Sequence, residues 1–134
     1  MSTPFLVKDI RPGGYSSSPG SLTALGNTLY FSANDGVNGT ELWKSDGTAA
    51  GTVLVKDIFP SVSWSSSPRY LTAVGNTLFF SANDGVNGEE LWRSDGTAAG
   101  TVLVKDIFPG SSNSSPVSLT YPLVRSFLTK REET

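Results

Sequence analysis

Asn34, Asp35 and Asn38 lie within five residues of one another and return as Asn83, Asp84 and Asn87. Carboxylate and amide oxygens at such short spacing are the ligand type that hard cations such as calcium accept. The spacing is not that of an EF-hand loop, since Gly36 and Ser45 stand where ligands belong. The same residues also suit tight turns, because Asn and Asp tolerate left-handed backbone and bond their own main chain. A second set is aromatic. Tyr15 and Trp64 each precede a serine run and a proline, with Ser112 at the third equivalent place counting back from Pro19, Pro68 and Pro116. An exposed ring beside hydroxyls offers a sugar an apolar face and polar partners, and the alternative is a ring that pins its loop to a neighbour.

The inventory excludes several classes. With no Cys and no His in 134 residues, thiolate nucleophiles, imidazole bases, disulfides and the usual zinc sites are ruled out. A net charge of −2 argues against nucleic acid as a partner. No apolar run reaches the length of a membrane span, and the first ten residues lack the features of a signal peptide. Asp46 and Asp95 read as turn residues, and no pair of carboxylates forms a convincing catalytic dyad, so no catalytic residue and no metal centre are assigned and the chain is expected not to be an enzyme.

These residues must be positioned by a repeat. Leu22 to Ile58 returns as Leu71 to Ile107 with four differences, Leu25/Val74, Tyr30/Phe79, Thr40/Glu89 and Lys44/Arg93. Lys8, Lys56 and Lys105 each open a Lys-Asp-Ile and stand 48 and 49 residues apart. A unit of this size cannot bury its apolar face alone and needs neighbours. Punctuation predicts four short strands in each: Leu22–Leu25, a Gly26-Asn27 hairpin, Thr28–Ala33, the turn of Asn34 to Gly39, Thr40–Ser45, the turn of Asp46 to Gly51, and Thr52–Ile58 before Pro60. The expected class is all-β, with four-stranded antiparallel meanders of the β-propeller blade type: an orphan fourth strand at 5–10, blade 1 at 22–58, blade 2 at 71–107, and a partial blade with an irregular tail at 116–134. A β-solenoid is the other architecture with such a period.

Glu41 to Thr48 and Glu90 to Thr97, reading ELWKSDGT and ELWRSDGT, resemble the ELWxxDGT repeat family of hyalin-like bacterial proteins, and the flanking GTVLVKDI matches as well. The resemblance covers Phe5 to about Thr120 and implies a propeller in a secreted or surface-attached bacterial protein, extracellular in location, with no established catalytic residue. The expected role is a structural or adhesive binding scaffold, and the alternative is a lectin-like carbohydrate-binding propeller assisted by calcium. Two blades are too few for a ring, so the chain is expected either to belong to a longer array or to self-associate, three copies giving six blades. After Thr120 the pattern breaks at Tyr121-Pro122, which suggests either a frameshift scar or a substitute second strand at Leu123 to Thr129. In a propeller the fourth-to-first and second-to-third loops share one face, which is where Tyr15, Trp64 and the Asn/Asp sets would meet a ligand.

Overall fold

The computed structural model describes residues 3–61, 63–109 and 114. The partial blade expected at 116–134 and Ser112 lie outside them. The eight strands run β1 Gly20–Leu25, β2 Thr28–Asn34, β3 Thr40–Ser45, β4 Val53–Lys56, β5 Arg69–Val74, β6 Thr77–Asn83, β7 Glu89–Ser94 and β8 Val102–Lys105. They form two antiparallel four-stranded sheets, β1-β2-β3-β4 and β5-β6-β7-β8, each a simple meander. Among the described residues there is no helix, and so none long and apolar enough to cross a membrane.

Turn chemistry explains the strand ends. Gly26 takes φ +61° while Asn27 stays at negative φ, the pattern of a two-residue hairpin with glycine at its first central position. In the β3–β4 turn, Asp46 Oδ1 accepts from Thr48 N at 2.9 Å and Thr48 Oγ1 at 2.6 Å. A Cβ at Gly51 would collide with the Asp46 carboxylate, so only glycine lets this side chain fold back over its own turn. The fourth strands are shorter than expected, because β4 pairs with β3 at only three positions and shifts register between Leu42 and Trp43.

The largest core lies between the sheets. Tyr30, Leu42, Val55 and Ile58 from the first pack with Leu71, Leu78, Phe80, Ala82 and Trp92 of the second. Both faces of β2 and β6 carry bulk, and at this seam one face of each sheet meets the other. Polar pegs fasten the same seam: Thr23 Oγ1 donates to Leu71 O at 3.0 Å, Lys44 Nζ to Gly96 O at 2.8 Å and Lys56 Nζ to Thr101 O at 3.0 Å.

Phe5–Ile10, expected as an orphan fourth strand, pairs with no strand. A fourth strand needs a third beside it, and no described strand lies hydrogen-bonded along this segment. The segment nonetheless occupies a fourth strand's place. Lys8 Nζ donates to Thr52 O at 2.9 Å as Lys56 does to Thr101 O, and Ile10 packs on Phe31, Ala33 and Trp43.

Candidate functional site: the loop face

The loops after β2 and after β4 meet on one side of the sheets. Thr40 N donates to Ser65 Oγ at 2.8 Å, and Ser67 N donates to Thr40 O at 3.1 Å. At the centre of this junction sits Glu41, with no exposed surface. Its Oε2 accepts from Ile58 N at 2.9 Å and Ser66 Oγ at 2.5 Å, and its Oε1 from Ser66 N at 3.0 Å. Ser66 O in turn accepts from Asn83 N at 3.0 Å. Glu41, Ser66 and Asn83 thus form a relay from the third strand of one sheet to the second strand of the next. Burial raises the Glu41 carboxyl to about 7 against the opposing pull of its hydrogen bonds from Ser66 and Ile58. Glu90 repeats the arrangement, accepting from Ile107 N, Phe108 N and Ser114 N.

The Asn/Asp loops are held by their own oxygens. Asp35 Oδ1 accepts from Val37 N and Asn38 N at 2.9 and 2.8 Å, Asp35 Oδ2 from Asn38 Nδ2 at 2.7 Å, and Asn34 Oδ1 from Gly36 N at 2.7 Å. Asn83, Asp84 and Asn87 reproduce every one of these bonds. Partial burial pushes the Asp35 and Asp84 carboxyls up, but donation from the Asn and Val groups outweighs it and holds both below the usual range. Among the described residues no three Asp, Glu, His or Cys side chains come together as a metal site.

Tyr15 and Trp64 are both strongly exposed. Each is backed by a planar partner from the start of its own loop. The Arg11 guanidinium carbon lies 5.0 Å from the Tyr15 ring centroid, and the Phe59 and Trp64 rings stack at 6.5 Å with 14° between planes. These partners rest on the following Asp-Gly turn: a Cβ at Gly36 would stand 3.1 Å from Arg11 Nε, and one at Gly85 only 2.6 Å from Phe59 Cε1. The structure therefore brings each aromatic residue to the turn of its own Asn/Asp set, and leaves the ring as the outward surface.

Sequence reasoning did not find the role of Glu41 and Glu90. The signal was present in their recurrence ahead of an invariant Leu-Trp, but only contacts with a distant loop reveal that a carboxylate there is buried. Compared with known protein families, with curated proteins and with solved structures, the chain matches none.

Proposed function

We propose that the two sheets are consecutive blades of a β-propeller of the ELWxxDGT type, and that the chain is a non-catalytic repeat module serving as a structural or adhesive scaffold in a secreted or surface-attached bacterial protein. The observation that carries this reading is how the polar groups are used. Glu41 and Glu90 are committed to backbone donors, Asp46 and Asp95 to their own turns, and the Asn/Asp sets to theirs. A group already engaged by the scaffold is a poorer general acid, base or metal ligand than a free one.

A lectin-like role is the second reading, favoured by one feature. The stacked pairs Arg11/Tyr15 and Phe59/Trp64 stand outward at equivalent places yet differ in chemistry, as interchangeable binding groups on a constant frame would. An exposed indole braced from behind by Phe59 is suited to the apolar face of a neutral sugar. A glycan array separates the readings. The scaffold reading expects no signal that depends on Trp64, whereas a signal lost in Trp64→Ala with the fold intact establishes the lectin reading. Turnover of any glycan by the purified chain would overturn the non-catalytic assignment.

A further inference from the structure

The seam between the sheets is built from residues that both sheets carry, but it is made once. On one side stand Tyr30, Leu42, Val55 and Ile58, on the other Leu71, Leu78, Phe80 and Trp92. The residues equivalent to the second group are Leu22, Leu29, Phe31 and Trp43, identical in type, on the face of the first sheet that turns away from the seam. There Leu22 is 60% exposed where Leu71 is 9%, and Leu29 is 38% exposed where Leu78 is 0%. A cavity of about 250 Å³ opens between them and the N-terminal segment, lined by Leu6, Val7, Ile10, Leu22, Leu29 and Phe31. It lies where the seam has Tyr30 and Leu42.

The complementary surface is at the other end of the chain. Phe79, Leu91, Val104 and Ile107 repeat Tyr30, Leu42, Val55 and Ile58 with one change. Phe79 and Leu91 are covered within the chain, but the fourth-strand side of this face is open: Ile107 is 42% exposed where Ile58 is 4%. Arg93 and Lys105, the counterparts of the seam's Lys44 and Lys56, are exposed as well.

We infer that the open face of the first sheet is the seat for the second sheet of another copy of this chain, joined by a duplicate of the internal seam. Continuity with that seam identifies the occupant, because every apolar position of the seat and three of the four apolar positions that fill it recur unchanged. Arg93 of the incoming copy then reaches the Gly47 carbonyl as Lys44 reaches Gly96, and Lys105 takes the Thr52 carbonyl now held by Lys8. Phe5–Ile10 yields the place. It holds no strand pairing, and its Leu6-Val7-Lys8-Asp9-Ile10 is the same sequence as Leu103 to Ile107, which arrives already hydrogen-bonded in a sheet. Docking exchanges the present cover of Phe79 and Leu91 for the seat. The inference is independent of any glycan on the loop face and holds for an open stack as for a closed ring.

Sedimentation of two complementary variants tests it. Leu29→Asp places a charge in the seat and Ile107→Asp places one on the incoming face. Both side chains are partly exposed in the single chain, so the fold, followed by circular dichroism, is retained, and Leu22→Asp serves in place of Leu29→Asp if that variant does not fold. The unsubstituted chain should associate with rising concentration, each variant alone should associate about tenfold or more weakly, and an equimolar mixture should give a one-to-one pair that grows no further. A chain that stays monomeric throughout, variants that associate like the parent, or a mixture that does not pair would each overturn the inference.

Discussion

Leu29 and Leu78 occupy the same position in two copies of nearly the same sequence, and only Leu78 is fully buried. Both sit on a second strand and face the same way relative to their own sheet. The difference is the neighbour. Leu78 meets Tyr30 and Leu42 of the sheet before it, while Leu29 meets the N-terminal segment and the edge of a cavity. Glu41 and Glu90 show the contrast in polar form. Each accepts three hydrogen bonds, Glu41 from two amides and a hydroxyl and Glu90 from three amides, but among the described residues only Glu41 extends through Ser66 to Asn83 of a following sheet. In a repeat protein the energy of a residue belongs to the interface it enters as much as to the unit that carries it.

The comparison is broken most severely at Glu41. Glu41→Ala leaves the amides of Ile58 and Ser66 without their acceptor in a buried junction and the Ser66 hydroxyl with only the longer bond to Thr40 O, an expected loss of about 3–5 kcal/mol. Glu90→Ala, which strands backbone groups in a junction that reaches no further sheet among the described residues, should cost less, and urea denaturation of the two variants measures the gap. Equal losses would show that the relay to Asn83 adds nothing. Leu78→Ala should cost about 2–5 kcal/mol through the cavity it leaves, against about 0.5 kcal/mol for Leu29→Ala as a partly exposed position. Parity between them would mean that the seat is already filled.

A pH titration isolates the same junction. The Glu41 carboxyl is raised in the folded state to about 7 from an ordinary value of 4.5. The folded chain therefore holds a proton that the unfolded chain releases. That stabilisation is complete below about pH 4.5 and is lost as pH rises through about 7. The melting temperature should fall across this interval, and Glu41→Gln should flatten the fall. Asp35, Asp84, Asp46 and Asp95 are shifted the other way, so they withdraw stability as pH drops below the ordinary carboxylate range. A steady rise in melting temperature from pH 5 to 8 would contradict the burial of Glu41 as described.

Smaller effects sharpen the contrast at the first strands. Each carries a register shift with one residue in the left-handed region, Ser21 at φ +53° and Tyr70 at φ +57°. The bulkier residue bears the greater strain there, so Tyr70→Gly should raise stability by about 0.5–1 kcal/mol, and Ser21→Gly by less. Millimolar calcium should leave the melting temperature unchanged, because both oxygens of Asp35 and of Asp84 are engaged by their own turns.

The strands and turns were legible because their causes are local. Alternating bulk marked β2 and β6, and Asp-Gly and Asn-Gly marked the turns between strands. The turn role of Asn34, Asp35 and Asn38 was legible for the same reason, since a side chain bonding two or three residues ahead needs no distant partner. Tyr15 and Trp64 were legible as a pair but not their backing, because Arg11 and Phe59 meet them across a loop whose path depends on the turn beneath.

By itself the sequence determined an all-β chain of two near-identical four-stranded units, since strand period, turn residues and repeat spacing are all written within a few tens of residues. Tertiary structure alone decided which copy of each leucine is dry, which carboxylate ties two sheets together, and that Phe5–Ile10 lies in a fourth strand's place without being a strand. Burial and strand pairing are properties of what stands alongside, and two nearly identical stretches acquire different energies when only one of them meets the other sheet on a given face.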